Sequence, residues 1–203
     1  MSVPLQCHMV WSAWESAVKK STLYQERNEE ERRKFLQALE TIDPADLVYI
    51  DECGLQKSLQ RDYVWAPIGE RFFTDIPGKR ESRTSIIAAL AQGQPLAPMM
   101  FEGYCNTDVV KTWMKQMLLP ELKPGQTVIW DNARFHQSPD FAQLVESVGC
   151  KLIYLPTYSP DLNPIEKWWA KLKALIRRLR TQGMILKHAL ALALSTLSNK
   201  LSG

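Results

Sequence analysis

A short apolar run that closes on an acid, Thr127-Val128-Ile129-Trp130-Asp131, has a near repeat in Leu47-Val48-Tyr49-Ile50-Asp51. Runs of this length, rich in β-branched and aromatic residues, are typical of buried strands. A third run of the same kind, residues 151–155, follows a segment with helical spacing at residues 138–148. Strands that alternate with helices usually pair in parallel, so both acids are expected at the carboxyl-terminal edge of one sheet.

The segments on either side of these runs predict further helices and strands. Residues 15–42 combine clustered Glu, Arg and Lys with apolar residues at helical spacing, which predicts a solvated helix with one docking edge, ending at Asp43-Pro44. Residues 63–73 and 84–90 are interpreted as strands joined as hairpins, and a three-stranded antiparallel unit would fit them. Helices are also predicted at residues 106–119, 160–180 and 186–197.

The composition is that of a globular chain with a sizeable core. The 203 residues include 45% hydrophobic and 23% charged side chains. A formal net charge of +3 permits a polyanionic partner without requiring one, so any argument for nucleic-acid binding must rest on local charge. We expect a helical segment over residues 1–42 ahead of one globular domain over residues 43–203.

The cysteines and the start of the chain indicate a cytoplasmic protein. Cys7, Cys53, Cys105 and Cys150 are spaced at intervals of roughly 50 residues, without a CxxC pair or a histidine at zinc-finger spacing. We therefore expect reduced thiols. The apolar stretches are too short to cross a bilayer, and residues 1–14 lack the layout of a signal peptide.

Three acids are candidate ligands for divalent cations. Asp51 and Asp131 end apolar runs, where side chains leave the core on a rigid backbone, and Glu166 begins the last long helix. Ions such as Mg²⁺ prefer carboxylate oxygens and keep positions for water and phosphate. Asp51 and Asp131 could equally cap turns at strand ends. If Asn163 is the N-cap and Pro164 the first helical residue, Glu166 is the third residue of the helix. A glutamate at that position often only caps the helix, which is the alternative to a ligand role.

The helix that begins near Glu166 presents a row of cations beside that acid. At 100° per residue, Lys173, Arg177 and Arg180 fall within about 40° of Glu166. Such a ridge favours contact with a phosphate backbone, so these three residues are candidate DNA-binding residues. The other cations of the helix are interpreted as solvated surface and its paired aromatics as core: Lys167, Lys171 and Arg178, and Trp168 and Trp169.

Three motifs in this order resemble a known family: Tyr49-Ile50-Asp51-Glu52, Trp130-Asp131-Asn132-Ala133-Arg134-Phe135-His136 and Leu155-Pro156-Thr157-Tyr158-Ser159-Pro160-Asp161-Leu162-Asn163-Pro164-Ile165-Glu166. They are similar to those of the bacterial insertion-sequence branch of the mariner superfamily of DDE transposases. The 34 residues between Asp131 and Glu166 match the separation in its glutamate-bearing members. The resemblance covers about residues 15–195 and implies a ribonuclease-H-like α/β fold, a mixed five-stranded sheet flanked by helices.

The resemblance also implies a chemistry, in which the three acids hold two Mg²⁺ ions, for which Mn²⁺ can substitute. One ion activates water or a DNA 3′-hydroxyl and the other stabilises the leaving oxygen. Asn132 and His136 match the second motif and are candidate substrate contacts, although His136 could equally order its loop. Glu52 should point away from Asp51 across the strand, which favours a structural or supporting role.

The partners implied by the resemblance are DNA, as element ends and target, and a second copy of the chain in a homodimer. Relatives carry helix-turn-helix domains ahead of the catalytic domain, for which residues 1–42 have no room. We interpret residues 1–42 as a helical linker or as the remnant of a DNA-binding domain. The helix-turn-helix domain would then be supplied by an upstream reading frame, or it would have been lost by truncation. Two alternatives stay open, namely another ribonuclease-H-like metal nuclease and a non-catalytic DNA-binding remnant.

Overall fold

The computed structural model describes residues 24–55, 84–133 and 139–199. The strand predicted at residues 63–73, Cys7 and His136 lie outside the described residues. The described helices are α1 (Glu29–Glu40), α2 (Thr107–Trp113), α3 (Pro139–Glu146), α4 (Pro164–Thr181) and α5 (Leu186–Asn199). The described strands are β1 (Leu47–Leu55), β2 (Thr84–Ala91), β3 (Gln94–Glu102), β4 (Thr127–Trp130) and β5 (Lys151–Tyr154).

The strands form one mixed sheet in the order β3-β2-β1-β4-β5. β1 pairs antiparallel with β2, and β2 with β3, whereas β1–β4 and β4–β5 are parallel. In the parallel pair Tyr49 lies opposite Ile129, so Asp51 and Asp131 each follow the last paired position by two residues. Neighbouring strands lie about 4.8 Å apart, so the register brings both acids to the same height at one sheet edge. The predicted α/β fold with a mixed five-stranded sheet is confirmed.

Strand β3 was not predicted from the sequence, because Pro95 and Pro98 interrupt its apolar run. A proline cannot donate to a ladder, which argues against a central strand. β3 lies at the edge of the described sheet, where the missing N–H groups need no partner strand. The pairing with β2 shifts register between Ile87 and Ala89, and Ala97 has a φ of +48°. An irregular edge strand of this kind carries little alternation for a sequence pattern to detect.

The predicted helices at residues 106–119 and 160–180 are each divided into two or more segments. After α2 the chain continues as a π-helical turn, Met114–Leu118, and a 3₁₀ turn, Leu119–Glu121, that accommodates Pro120. A separate 3₁₀ turn, Pro160–Leu162, precedes α4. The prediction that Asn163 caps α4, with Pro164 at the start of the helix, is confirmed.

Side-chain alternation along the strands builds a helical layer on each side of the sheet. On one side Val48, Ile50 and Trp130 pack against α2 and α3, which we call the α2/α3 layer. On the other side Cys53 and Leu55 pack against α4 and α5, the α4/α5 layer. Helix α1 adds a third cluster through Phe35, Leu47, Ile129 and Leu155. Tyr49 contacts the second and third clusters, so Asp51, two residues further on, faces the side on which α4 lies.

Two further findings concern the described helices and the described cysteines. Among the described helices, none is both long and apolar enough to pass through a bilayer. The described cysteines, Cys53, Cys105 and Cys150, are not joined to one another in disulfides, as the sequence predicted for them.

Candidate active site

One cavity collects the three acids that the sequence singled out. Asp51 lies within β1, two residues beyond the end of its parallel pairing with β4, Asp131 follows β4, and Glu166 lies in the first turn of α4. All three line a cavity of about 420 Å³. Its remaining walls come from Tyr24, Asn132, Ala133, Asn163 and residues 155–160, the loop between β5 and α4. The fold therefore gathers carboxylates from two strands and one helix at a single concave surface.

Asp51 is the acid most strongly affected by its surroundings. Burial raises the pKa of Asp51 to about 8, and the negative charges of Glu166 and Glu52 add to this rise. The side chain is held by Trp169, whose Nε1–H donates to Asp51 Oδ2 over 2.8 Å. Trp169 is itself buried in the α4/α5 layer. A carboxylate in this position is fixed in direction and sits in a negative potential that a cation would neutralise.

Asp131 combines a local hydrogen bond with access to the cavity. The backbone N–H of Ala133 donates to Asp131 Oδ1 over 3.5 Å, a weak contact of the turn-capping type. The side chain is half-buried and still lines the cavity beside Asn132. The turn-capping interpretation and the ligand interpretation of Asp131 are therefore compatible, because a carboxylate has a second oxygen to offer.

The structure separates the two interpretations of Glu166. In a capping box the glutamate would accept the backbone N–H of the N-cap residue. Here the N–H of Asn163 instead donates to the carbonyl oxygen of Pro160 over 3.0 Å. Asn163 caps the helix on its own by accepting the N–H of Ile165 over 3.3 Å. The capping box is absent at this helix start, and the exposed Glu166 is directed to the cavity that Asp51 and Asp131 share.

A buried amide joins the start of α4 to β1. Asn163 is 3% exposed, and its Nδ2 donates to the backbone carbonyl of Ile50, the residue before Asp51, over 3.5 Å. Together with the bond from Trp169 to Asp51, this contact ties the first two turns of α4 to the strand that carries the first acid. The sequence offered only one signal for it, an asparagine at a predicted N-cap.

The other residues that the sequence singled out are divided among different surfaces. Asn132 lines the cavity. Glu52 accepts a hydrogen bond from the Cys105 thiol over 3.9 Å, which agrees with the expectation that it points away from Asp51. On α4, Arg177 is exposed and Lys173 and Arg180 are half-buried, and these three lie outside the cavity lining. The cations interpreted as solvated surface line a separate groove of about 720 Å³: Lys167, Lys171 and Arg178.

The predicted core role of the paired aromatics is confirmed. Trp168 is 6% and Trp169 is 1% exposed, and their rings pack edge to face with centroids 4.9 Å apart. What the sequence missed is that the indole N–H of Trp169 also reaches a cavity acid.

The donor set suits hard divalent cations. Three carboxylates and an amide oxygen offer the oxygen ligands that Mg²⁺ and Mn²⁺ prefer. The pKa of Asp51 is raised first by burial and then by the negative charges of Glu166 and Glu52, which a cation would offset. Over residues 24–55, 84–133 and 139–199, no three His, Cys, Asp or Glu side chains form a metal-binding group as they stand. A bound cation would offset the repulsion between ionised carboxylates that share this cavity.

Comparison with known proteins gives a family match and several fold matches. Residues 46–183 match the family described as DDE superfamily endonuclease. A Mos1 transposase paired-end complex with the left transposon end matches with a TM-score of 0.58 at 14% identity, covering 89% of this chain and 63% of that chain. A pre-cleavage Mos1 transpososome gives 0.55 at 13% identity, covering 89% and 65%. A simian T-cell lymphotropic virus intasome gives 0.53 at 12% identity, covering 75% and 48%.

The matches to solved structures establish the fold of this chain. At such low identity the solved structures share the ribonuclease-H-like architecture with this chain, and the chain spans less than two thirds of the length of each of these three matched chains. No curated protein sequence matches the chain. The family match covers Asp51, Asp131 and Glu166 together.

Proposed function

The chain belongs to the DDE superfamily endonucleases, and on that basis we propose that it is the catalytic domain of a DNA transposase that cleaves DNA strands and transfers their ends. We place it in the bacterial insertion-sequence branch of the mariner superfamily. The observation that carries the proposal is the single cavity lined by Asp51, Asp131 and Glu166. Solved structures of the same fold, by their titles, are a transpososome and a strand transfer complex.

In this proposal the three acids hold two divalent ions, Mg²⁺ or Mn²⁺. Bound ions of this kind activate the attacking hydroxyl and stabilise the leaving oxygen of an in-line phosphoryl transfer. Two structures of the same fold are titled as Mos1 complexes with Mg and with Mn. The oxygen-rich lining of the cavity supports the same choice of metal here.

The residues around the acids prepare them for that role. Trp169 directs Asp51 Oδ2 through its N–H, and Asn163 fixes the start of α4, and with it Glu166, against β1. Because burial and neighbouring charges raise the pKa of Asp51 to about 8, the cation-free protein holds a proton on Asp51 at neutral pH. Occupying the site therefore requires Asp51 to release that proton, so metal affinity should rise with pH.

DNA is the proposed substrate, as element ends and as target. Lys173, Arg177 and Arg180 continue α4 away from Glu166 and would follow a phosphate backbone. We propose that the protein acts as a homodimer, with a helix-turn-helix domain supplied by an upstream segment and residues 1–42 as the linker to the domain over residues 43–203. Binding by this chain alone is then expected to be weak and salt-sensitive.

The test is a strand-transfer assay with pre-cut DNA ends, a plasmid target and Mn²⁺. We expect metal-dependent joining by the wild type, and a loss of at least about 100-fold in Glu166→Gln and Asp131→Asn, because removing even a residue that supports a metal ligand costs 10- to 100-fold. The matched control is Glu146→Gln, an exposed glutamate at the end of α3 that should leave joining unchanged. Equal joining by Glu166→Gln and wild type would overturn the assignment, and so would joining that persists in EDTA.

A further inference from the structure

Two exposed tyrosines share the cavity with the acids. Tyr24 is 51% and Tyr158 is 54% exposed, and both line the cavity that contains Asp51, Asp131 and Glu166. Large aromatic side chains at a concave, polar surface lose contact with water when a flat ring stacks on them. We propose that Tyr158, supported by Tyr24, is a stacking platform for an unpaired nucleobase next to the phosphate held by the acids. This inference rests on the proposed function, since it assumes a nucleic-acid substrate.

The geometry of the two rings indicates which face is used. Their centroids lie 5.8 Å apart with planes tilted by 41°. A base inserted between two rings needs about 7 Å, twice the ordinary contact distance between carbon atoms, so it does not fit between them. The base therefore stacks on the outer face of the pair. Tyr24 packs against Tyr158 from behind and restricts its ring, which lowers the entropy lost on stacking.

The backbone presents Tyr158 outward and holds it there. Its φ is +56°, in the left-handed region that bulky residues rarely adopt. The next residue, Ser159, is 3% exposed, and its hydroxyl donates to the carbonyl of Thr157 over 3.2 Å, which closes the loop around Tyr158. This loop leads directly into α4, so the position of the ring is set relative to Glu166 by the same short segment of chain.

The size of the cavity favours an unpaired base over a base pair. A volume of about 420 Å³ is in the range that accommodates one small ligand, such as a single nucleotide. A base that contacts Tyr158 must therefore leave its helical stack, as bases do in enzymes that extrude a nucleotide. Stacking on an aromatic ring is tolerant of base identity, so this subsite would recognise an unpaired state and not a sequence.

The experiment compares binding to two short duplexes of the same sequence, one fully paired and one with a central mismatched bubble, by fluorescence anisotropy with the full 203-residue chain. Ca²⁺ replaces Mg²⁺ so that no strand is cut during the measurement. We expect the wild type to bind the bubble about 10-fold more tightly than the paired duplex. Tyr158→Phe, which retains the ring, should keep that ratio.

Two further variants test whether the preference depends on the ring of Tyr158. One keeps the backbone conformation of the loop without the ring, and the other removes an exposed tyrosine elsewhere on the surface. Tyr158→Asn removes the ring but tolerates the left-handed backbone, so the loop is retained and the bubble preference should fall to about 1. Tyr104→Ala removes a 74%-exposed tyrosine that does not line the cavity and should keep the preference. A wild type without bubble preference, or an Asn variant that retains it, would overturn the platform.

The same proteins distinguish this inference from the proposed function. If the wild type joins DNA ends in Mn²⁺ and Glu166→Gln does not, but Tyr158→Asn retains bubble preference, the platform is wrong and the transposase assignment stands. If joining is equally strong in Glu166→Gln, the assignment of the acids is wrong whatever the bubble measurement gives.

Discussion

The two helical layers each contain a tryptophan that is almost completely buried, and the two indoles use their N–H groups differently. In the α2/α3 layer, Trp113 Nε1 donates to the backbone carbonyl of Ala97 over 2.7 Å. In the α4/α5 layer, Trp169 Nε1 donates to the carboxylate of Asp51 over 2.8 Å. Both rings are at most 1% exposed. A buried N–H must find an acceptor, and only one of these acceptors is a residue of the proposed active site.

The difference shows that equal burial does not imply an equal role. Trp113 holds an irregular edge strand through Ala97, a residue with positive φ that does not line the cavity. Trp169 holds an acid, and the helix that carries it also supplies Glu166 and the cap residue Asn163. We infer that the α2/α3 layer contributes mainly stability, whereas the α4/α5 layer contributes stability and also the geometry of the site.

The largest expected difference between the two layers comes from exchanging each tryptophan for phenylalanine. Trp113→Phe leaves the carbonyl of Ala97 without its donor and should lower the free energy of unfolding by about 1–3 kcal/mol, with joining activity retained. Trp169→Phe should cost a similar free energy and, because Asp51 loses its orienting bond, reduce joining by about 10- to 100-fold. Urea denaturation and the Mn²⁺-dependent strand-transfer assay measure the two quantities separately.

The proposed difference between the two layers would be wrong if Trp113→Phe and Trp169→Phe both lost joining activity in proportion to their loss of stability. In that case Trp169 would support the fold alone, as Trp113 does. Activities are compared at a temperature where both variants remain folded by circular dichroism, so that unfolding contributes to neither rate.

Asp51→Asn is expected to change stability in the opposite direction from the two tryptophan exchanges. The amide oxygen still accepts the N–H of Trp169, while the buried charge is removed. In EDTA near pH 8 the variant should be more stable than the wild type by on the order of 5 kcal/mol. It should be inactive in joining. Trp113 donates to an uncharged backbone carbonyl. No substitution there can raise stability by removing a buried charge.

The direction of the pH dependence follows from the raised pKa of Asp51. The folded protein holds this proton up to a pKa of about 8, whereas the unfolded chain releases it near the ordinary value of 3.8. Folding therefore binds a proton between these values, and wild-type stability from this group falls as pH rises from about 4 to about 8. Urea denaturation across this range should show the slope in the wild type and a flatter line in Asp51→Asn. Parallel lines would contradict the assigned cause.

The sequence predicted those strands whose apolar residues reflect burial in the finished sheet. The runs that became β1 and β4 are apolar because central parallel strands are covered on both faces, so each stands out without knowledge of its neighbours. Strand β3 failed this criterion, since Pro95 and Pro98 are tolerated only by its edge position, and edge position is a property of the assembled sheet.

The candidate site was predictable to the same degree. Asp51 and Asp131 each lie two residues beyond the parallel pairing of β1 with β4, and the apolar runs before them indicated this common edge, although β1 continues past Asp51 to Leu55. The contacts that orient the acids were not predictable. Trp169 and Asp51 are 118 positions apart, and an apolar stripe on a helix indicates burial without indicating which acceptor the indole reaches.

The smallest expected effect compares the caps of the two helices that carry these tryptophans. Asn106 caps α2 by accepting the N–H of Val109 over 2.9 Å, and Asn163 caps α4 by accepting that of Ile165. Replacing either asparagine with alanine should lower the free energy of unfolding by about 1 kcal/mol. Only Asn163 also donates to Ile50 beside Asp51, so only Asn163→Ala should reduce joining, by a few-fold.

Asn163→Ser separates the cap from the contact with β1. Serine caps a helix about as well as asparagine, so stability should change by only a few tenths of a kcal/mol beyond the loss of the bond to Ile50. The serine side chain is too short to reach that carbonyl while it caps, so joining should fall as far as in Asn163→Ala. Full activity in Asn163→Ser would mean that packing of the α4/α5 layer alone sets the position of Glu166, and the two helical layers would then differ only in the acceptor of one indole.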